Sequence, residues 1–261
     1  MSPAPIPPYP KGRDLLAGKS VLITASAGTG IGFATARRCA EEGARVMLSD
    51  KHERRLAEYS EQLAREIGRP VPSEPCDVTV QADVERLFAR AEEALGPLDV
   101  LVNNAGLGGT CEIAEMSDEQ WLRVLDVTLN GTFRCTRAAL RRMLPRGSGC
   151  IVNLGSVVSW RAQAGQAHYA AAKAGVLALT RSAAIEAAPH GVRVNAVVPS
   201  LAMHANLAKV TSDELLSELT AREAMGRSAE PFEVANVIVF LASELASFMT
   251  GEAISVSNQH P

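Results

Sequence analysis

The stretch VLITASAGTGIGFATARR, residues 21–38, runs from an apolar segment into a helical pattern through a glycine-rich turn. The dinucleotide fingerprint G-x-G-x-x-G would place a third glycine at position 33 after Gly28 and Gly30, but Phe33 stands there and Gly32 precedes it. The glycines therefore recur at every second residue. Three interpretations are open: a damaged fingerprint, another kind of phosphate loop, or a tight turn between strand and helix.

The same alternation of a short apolar run and a longer helical run continues along the whole chain. Several runs are apolar throughout, which is typical of strands in a parallel sheet that helices cover on both faces. This pattern predicts a single-domain α/β fold, a doubly wound parallel sheet of about seven strands with right-handed crossovers. The predicted strands are KSVLIT (19–24), ARVMLSD (44–50), the weak RPVPSEPCDV (69–78), LDVLVNNAG (98–106), GCIVNLGS (149–156), VRVNAVVPS (192–200) and AISVS (253–257).

Composition indicates a globular protein with a sizeable core. Of 261 residues, 47% are hydrophobic and 21% charged, and the net charge of -3 comes without a basic block, so nucleic acid is not an expected partner. Residues 1–14, with prolines at 3, 5, 7, 8 and 10, predict an extended arm lying on the surface or on a neighbouring subunit. Residues 15–261 form the predicted domain, with a substrate loop at about 200–225.

The cysteines and the absence of long apolar runs indicate in which cellular compartment we expect the protein. The five cysteines lie far apart and form no C-x-x-C pair. We therefore expect reduced, buried thiols in a cytoplasmic protein without a metal site. No run of 18 apolar residues predicts a membrane span, and prolines interrupt the N-terminus where a secretory signal needs an apolar core.

The ends of the first two strands carry candidate residues for binding a dinucleotide. Ligands of doubly wound sheets bind beyond the carboxyl ends of the strands. Residues 25–32 lie at a predicted helix N-terminus, whose free N–H groups and dipole suit a pyrophosphate. Asp50, after the second strand, can accept hydrogen bonds from both ribose hydroxyls and favours NAD over NADP. Alternatively it caps the next helix, and the nearby Lys51, Arg54 and Arg55 weaken the exclusion of NADP.

The third and fourth strands end in similar candidates. Asp77 follows the weak third strand and can hold the adenine amino group. The sequence NNAG at 103–106 follows the fourth strand, and its small Ala105 and Gly106 would let the backbone approach a cofactor. Each could alone be an ordinary turn. Their recurrence at successive strand ends favours the binding interpretation.

After the fifth strand comes Ser156, followed by Tyr169 and Lys173 in a helical segment. Tyr169 and Lys173 are four residues apart and share one helix face, so the ammonium can lie beside the phenol. Lowering a tyrosine pKa from about 10 to about 7 needs roughly 4 kcal/mol, whereas one surface ion pair gives roughly 0–1 kcal/mol. A shielded site with an oxidised nicotinamide nearby could supply the difference, making Tyr169 a general base toward an alcohol or an acid toward a ketone. Ser156 would hold the substrate oxygen, although Y-x-x-x-K alone is also common on solvated helices.

Together with FLASELASFMTGEAISV at 240–256, these motifs resemble the short-chain dehydrogenase/reductase family over residues 15–256. The resemblance implies a Rossmann-type fold, a nicotinamide cofactor (NAD, with NADP not excluded), a homotetramer assembled through long helices, and proton-relay roles for the catalytic set Ser156, Tyr169 and Lys173. The cofactor-binding residues that it implies are Ser26, Gly28, Thr29, Gly30, Ile31, Asp50, Asp77, Val78, Asn104, Ala105, Gly106, Tyr169, Lys173, Pro199 and Leu201.

The glycine turn departs from the family pattern T-G-x-x-x-G-x-G. Ala25 follows Thr24, and Gly30 comes one residue late. Counting back from Gly32, Gly28 and Thr29 take the places that contact the adenosine side and the pyrophosphate. The extra residue then marks a subgroup of the family.

Two further departures lie downstream. The family's D-V-N-L is D-V-T-L here, so Thr128 stands at the position of the catalytic-tetrad asparagine, where it could order a water for the proton relay. The family's P-G-x-x-x-T is PSLAMH, so Ser200 and His204 replace the glycine and threonine near the nicotinamide. His204 is either a cofactor or substrate contact or an ordinary loop histidine.

A narrower resemblance, in ITASAGTGIG, DKHERRL, SWRAQ, HYAAAKAGV and ISVSNQHP, is to a branch of the family in bacterial steroid degradation. It implies NAD-dependent oxidation of a ring hydroxyl on a steroid-derived hydroxy-indanone acyl-CoA, with Trp160 and Arg161 on the substrate side or merely at the rim. Two rivals stay open. One is a 3-oxoacyl-ACP/CoA reductase using NADPH, and the other is a cofactor-binding regulator without turnover, which Thr128 and Ser200 permit.

Overall fold

The computed structural model describes residues 3–203 and 213–258, without the side chains of 213–215. All seven strands of the sheet pair in parallel, in the order β3-β2-β1-β4-β5-β6-β7. The order reverses between β1 and β4, and this is the switch point at which such sheets form a crevice. The strands are β1 (Ser20–Ile23), β2 (Arg45–Asp50), β3 (Ser73–Pro75), β4 (Val100–Asn103), β5 (Gly149–Leu154), β6 (Val192–Pro199) and β7 (Ala253–Val256).

Helices connect these strands and cover both faces of the sheet. A π-helical segment, Asp126–Asn130, joins α4 to α5, so the long predicted helix is continuous but wider at that point. The helices of the described residues are α1 (Ile31–Glu41), α2 (Glu53–Ile67), α3 (Gln81–Leu95), α4 (Asp118–Leu125), α5 (Gly131–Arg146), α6 (Ala167–Ala187), α7 (Asp213–Ala221) and α8 (Pro231–Ala242).

The core consists of two main apolar layers, one on each side of the sheet. Val21 and Ile23 of β1 face a layer completed by α1, α2 and α8. Leu22, between them, faces the opposite layer with α3, α5 and the end of α6. Successive side chains of a strand point to opposite faces, so a fully apolar β1 buries every residue. This confirms the doubly wound sheet predicted from the sequence.

The weak third strand is short for a clear reason. Only Ser73–Pro75 pairs with β2, at the edge of the sheet. Prolines at 70, 72 and 75 lack the N–H that a ladder needs. The chain therefore reaches Asp77 soon after leaving the sheet.

The N-terminal arm lies on its own chain. The Tyr9 hydroxyl donates to Oε2 of Glu41 at 2.8 Å, and its ring lies 5.1 Å from that of Phe232. Further toward the N-terminus, the Ala4 amide donates to the Met225 carbonyl at 2.9 Å. The arm thus runs from α1 and α8 to the segment that follows α7.

Three observations concern the described residues as a whole. Their cysteines are unpaired. Their His, Cys, Asp and Glu side chains form no group of three or more that could hold a metal ion. Within the same ranges, none of the helices has the length and apolar character needed to cross a membrane.

Candidate active site

The predicted site residues collect at one edge because parallel strands all end there. Asp50 is the last residue of β2, Asn104 follows β4, and Ser156 lies two residues beyond β5. Pro199 ends β6, and the glycine turn occupies the space between β1 and α1. The fold therefore brings together candidates that are up to about 170 residues apart in the chain.

The glycine turn is built for close backbone packing. A Cβ on Gly32 would lie 2.5 Å from Nδ2 of Asn104 and 2.6 Å from the carbonyl oxygen of Ala25, so only glycine fits. That Asn104 amide donates to the carbonyls of Thr24 at 3.1 Å and Ala25 at 2.8 Å, which ties the turn to the end of β4. Ala25 adopts a φ of +49°, a left-handed conformation that normally favours glycine.

The first turn of α1 offers free donors beside this turn. Its N-cap is Gly30, and no described side chain caps the helix. The N–H groups of the first turn therefore point outward with the positive end of the helix dipole. Thr29 is exposed next to them. This arrangement favours a phosphate loop over a damaged fingerprint.

Two adjoining cavities open at this edge, with volumes of about 230 and 290 Å³. They share Ala25, Asp50, Arg55 and Gly106. The remaining predicted cofactor residues on their walls are Gly28, Gly30, Ile31, Asp77, Val78, Asn104 and Ala105. Because a turn that excludes a Cβ, an uncapped helix and two carboxylates meet here, the residues present fit a dinucleotide.

Asp50 ties the end of β2 to the glycine turn. One carboxylate oxygen accepts from the Ala27 amide at 3.3 Å, and the other accepts from the His52 amide at 3.0 Å and from Nη2 of Arg55 at 3.2 Å. The N-cap of α2 is His52, without a side-chain cap, so Asp50 is not the cap of that helix. Asp50 is buried, and Arg55 balances its charge at the wall of the same cavity.

Two other predicted residues make mainly local contacts. One carboxylate oxygen of Asp77 accepts from the amide and the hydroxyl of Thr79, at 2.9 and 2.7 Å. The Ser26 hydroxyl is fully buried, where it donates to the Ile23 carbonyl and accepts from the Ser49 amide. Ser26 therefore holds β1 to β2 and does not line either cavity.

Ser156, Tyr169 and Lys173 come together as the sequence predicted. Ser156 caps a short 3₁₀ turn after β5, and its side chain hydrogen-bonds to that of Tyr169. Lys173 is buried, and its Nζ donates to the Leu154 carbonyl at 2.6 Å. The same Nζ lies 5.7 Å from the centre of the Tyr169 ring. The end of β5 thus positions all three groups.

Burial sets the protonation of this group. It raises the pKa of Tyr169 to about 12, against a smaller lowering by the Ser156 hydrogen bond. It also lowers the pKa of Lys173 to about 8, so the ammonium form still predominates at neutral pH. The protein's own groups therefore keep Tyr169 protonated, and its use as a base needs additional positive charge.

Thr128 has a role that spacing alone could not reveal. It is fully buried in the π-helical segment, and its Oγ1 accepts from the Leu107 amide at 3.0 Å and donates to the Leu107 carbonyl at 3.1 Å. Its own carbonyl accepts from the Thr132 hydroxyl at 2.7 Å. Asn130 instead donates to Asp126. Thr128 therefore clamps the loop that follows Gly106, a contact that sequence analysis missed because no periodic signal links 107 to 128.

The downstream candidates lie around the base of the predicted substrate loop. Leu201 pairs with the segment after α7, since its amide donates to Oε1 of Glu223 and its carbonyl accepts from the Ala229 amide. The Ser200 amide donates to the Val256 carbonyl at 3.3 Å. His204, with residues 205–212, lies outside the described residues.

Trp160 and Arg161 follow the 3₁₀ turn that begins after Ser156. The Trp160 side chain is 51% exposed, and the Arg161 amide donates to the Val157 carbonyl at 3.1 Å. Both follow Ser156 within five residues of the chain.

Comparison with known proteins agrees with this geometry. The family model described as enoyl-(acyl carrier protein) reductase matches residues 25–258. The (5R,7aS)-5-hydroxy-7a-methyl-1-oxo-2,3,5,6,7,7a-hexahydro-1H-indene-carboxyl-CoA reductase of Mycobacterium tuberculosis is 59% identical over 253 residues, 96% of each chain. The cis-4-hydroxycyclohexanecarboxylate dehydrogenase of Sinomonas cyclohexanicum is 41% identical over 240 residues, 90% of this chain and 94% of that protein. The crystal structure of a short chain dehydrogenase from Mycobacterium smegmatis is 52% identical, with a TM-score of 0.87 over 98% of both chains. The chain therefore belongs to the short-chain dehydrogenase/reductase family of oxidoreductases.

Proposed function

We propose that this protein is an NAD-dependent dehydrogenase/reductase acting on a ring hydroxyl, or the matching ketone, of a hydroxy-indanone acyl-CoA thioester. The observation that carries the substrate class is the 59% identity, over 96% of both chains, to the M. tuberculosis reductase named for such a thioester. The reaction type is supported by Ser156, Tyr169 and Lys173, which lie together beside a crevice that fits a dinucleotide.

The catalytic chemistry follows from the protonation of these groups. In reduction, Tyr169 donates its phenolic proton to the substrate oxygen while Ser156 hydrogen-bonds to that oxygen. In oxidation, the phenolate of Tyr169 accepts the proton of the alcohol, and the carbinol carbon loses its hydrogen as hydride. A bound nicotinamide accepts the hydride when oxidised and supplies it when reduced. Lys173, fixed by the Leu154 carbonyl, favours the phenolate through its positive charge.

The cofactor-binding assignment extends over the glycine turn and the strand ends. The uncapped start of α1 would hold the pyrophosphate and Asp50 the ribose hydroxyls. Asp77 and Val78 would contact the adenine. The other residues proposed to bind the cofactor are Gly28, Thr29, Gly30, Ile31, Asn104, Ala105, Gly106, Pro199 and Leu201. Ser26 is buried and its amide donates to the Ser49 carbonyl, so it supports the glycine turn without touching the cofactor.

A 3-oxoacyl thioester reductase using NADPH is the second candidate. Lys51, His52 and Arg55 line the same cavity as Asp50 and could attract a 2′-phosphate. Steady-state kcat/KM with NAD and NADP, measured on the wild type and Arg55→Ala, separates the two. We expect NAD to be preferred by the wild type and more so by the variant. A strong wild-type preference for NADP would refute the role given to Asp50.

The substrate assignment needs its own experiment. Hydroxy-indanone acyl-CoA thioesters should be compared with simple 3-hydroxyacyl-CoAs, and the bicyclic thioesters are expected to have the higher kcat/KM. Equal or faster turnover of the simple compounds would refute the assignment. Trp160 and Arg161 are proposed to face the substrate, so Trp160→Ala should raise the KM of the bicyclic thioester selectively.

Turnover itself depends on Tyr169 in this proposal. Tyr169→Phe removes the hydroxyl but keeps the ring, so it should abolish oxidation while NAD binding, measured by calorimetry, is retained. Full activity in Tyr169→Phe would exclude the proposed proton relay. No oxidation by the wild type, combined with tight NAD binding, would favour a regulator without turnover.

We also propose a cytoplasmic homotetramer assembled through the long helices. Phe133 of α5 is 43% exposed and Ile185 of α6 is 77% exposed, so both long helices carry apolar side chains that a neighbouring subunit could cover. The unpaired cysteines of the described residues suit a reducing compartment. Light scattering should give four times the mass of the 27.6 kDa chain, and a monomer would refute the assembly.

A further inference from the structure

Another cavity, of about 220 Å³, lies beside the catalytic tyrosine and is not used by the proposed hydride transfer. Its walls are the Leu107–Cys111 loop, His168 of α6, and Gln120, Arg123 and Val124 of α4. The loop lies against the catalytic tyrosine, because a Cβ on Gly108 would lie 3.9 Å from Cδ2 of Tyr169. The cavity is smaller than the roughly 300 Å³ of the smallest drug-sized sites, so it suits a chemical group and not a whole cofactor.

His168 is the unusual residue of this cavity. Its side chain is only 2% exposed, and its Nδ1 has no hydrogen-bond partner among the described residues. Its Nε2 is directed at the loop, since a Cβ on Gly109 would lie 3.4 Å from it. Buried polar nitrogens are nearly always paired with protein, water or a ligand. The imidazole of His168, which lines the cavity, therefore has a buried nitrogen that the described residues leave unsatisfied.

Four other donors of the wall have no partner among the described residues. Arg123 is exposed and makes no ion pair within the described ranges. Gln120 uses its Oε1 to accept from the Ser117 amide, which leaves its Nε2 available. The amides of Gly108 and Gly109 also make no hydrogen bond to described residues. No carboxylate side chain is among the lining residues.

We propose that this cavity is a phosphate-binding subsite next to the active site. A guanidinium forms paired, charge-assisted hydrogen bonds with phosphate, and glycine amides approach it closely because they carry no side chain. Arg123 supplies the charge, and Gln120, His168 and the glycine amides surround the oxygens. The phosphate belongs either to the coenzyme A portion of the substrate, which rests on the proposed function, or to free inorganic phosphate.

Calorimetric binding to the full-length protein tests the subsite without turnover. Inorganic phosphate and free coenzyme A are titrated into the wild type, Arg123→Gln and Arg181→Gln, each saturated with NAD. Arg181 is the matched control, because it is an exposed arginine on α6 without an ion pair in the described part of the chain. Arg123→Gln should weaken binding of at least one probe about tenfold or more, the loss expected when a charged hydrogen-bond donor is removed. Arg123→Lys should recover part of that loss, and Arg181→Gln should bind like the wild type.

The two sources and the two proposals give different results. Arg123-dependent binding of coenzyme A together with phosphate supports the substrate source, and binding of phosphate alone supports a free-ion site. Equal affinity in Arg123→Gln and Arg181→Gln, or no binding of either probe, overturns the subsite. If phosphate binds through Arg123 but no acyl-CoA is turned over, the subsite is supported and the proposed substrate is refuted. If the acyl-CoA is turned over with the same KM in Arg123→Gln as in the wild type, the proposed substrate is supported. Coenzyme A as the source of the bound phosphate is then refuted.

Discussion

Replacing Thr128 by valine should destabilise the protein and disturb the active site together. Valine has nearly the shape of threonine but no hydroxyl, so Leu107 loses the acceptor for its amide and the donor to its carbonyl, at 3.0 and 3.1 Å. Each buried polar group left unpaired costs about 1–3 kcal/mol. Either the amide or the carbonyl of Leu107 can form a hydrogen bond to water if the loop shifts. We therefore expect a total loss of about 2–4 kcal/mol in the free energy of unfolding.

The effect on activity follows from where Leu107 lies. It directly follows Gly106, and a Cβ on Gly106 would lie 3.4 Å from Nζ of Lys173. A shift of about 1 Å in reacting groups can lower the rate about 10²-fold, so kcat should fall by a factor of that order. Urea unfolding and steady-state kinetics measure the two effects.

Two controls separate the clamp from a general packing defect. Thr128→Ser keeps the hydroxyl and should cost only about 1 kcal/mol, for the lost methyl group. Thr132→Val removes a neighbouring buried hydroxyl that donates to the Thr128 carbonyl at 2.7 Å, and it should leave kcat nearly unchanged. The clamp is refuted if Thr128→Val unfolds within about 0.5 kcal/mol of the wild type, the range of ordinary surface substitutions.

Three further predictions concern the turn, the buried lysine and the arm. Gly32→Ala would bring a Cβ within 2.6 Å of the Ala25 carbonyl, so the KM for NAD should rise at least tenfold, and an unchanged KM would contradict the phosphate-loop assignment. Burial lowers the pKa of Lys173 to about 8, below the value near 10.4 of an unfolded chain, so the unfolded state binds more protons between these values and stability should rise with pH there. Urea unfolding at pH 8 and 9.5 should show this slope in the wild type and lose it in Lys173→Met. Deleting residues 1–10 removes the hydrogen bond to Met225 and should raise the substrate KM but not the NAD KM, whereas equal changes in both would refute a local role for the arm.

The order of strands and helices could be predicted from local patterns. Continuously apolar runs belong to strands covered on both faces, and side chains four apart share a helix face, so Tyr169 and Lys173 could be paired from their spacing alone. Asp50 and Ser156 could be identified because residues after parallel strands meet at one edge. The resemblance to the short-chain dehydrogenase/reductase family rests on the same motifs.

Other features depend on contacts between distant parts of the chain. The clamp of Thr128 on Leu107, the bond from Lys173 to the Leu154 carbonyl and the cavity around His168 each join segments that only packing brings together. Periodicity says which face a residue occupies, but not which backbone group lies opposite it. The protonation states of Tyr169 and Lys173 also depend on tertiary packing. Their pKa values are shifted mainly by burial, which the local sequence does not reveal. The sequence by itself therefore determined the architecture and the chemical groups at the strand ends, and the tertiary structure decided how those groups are held and charged.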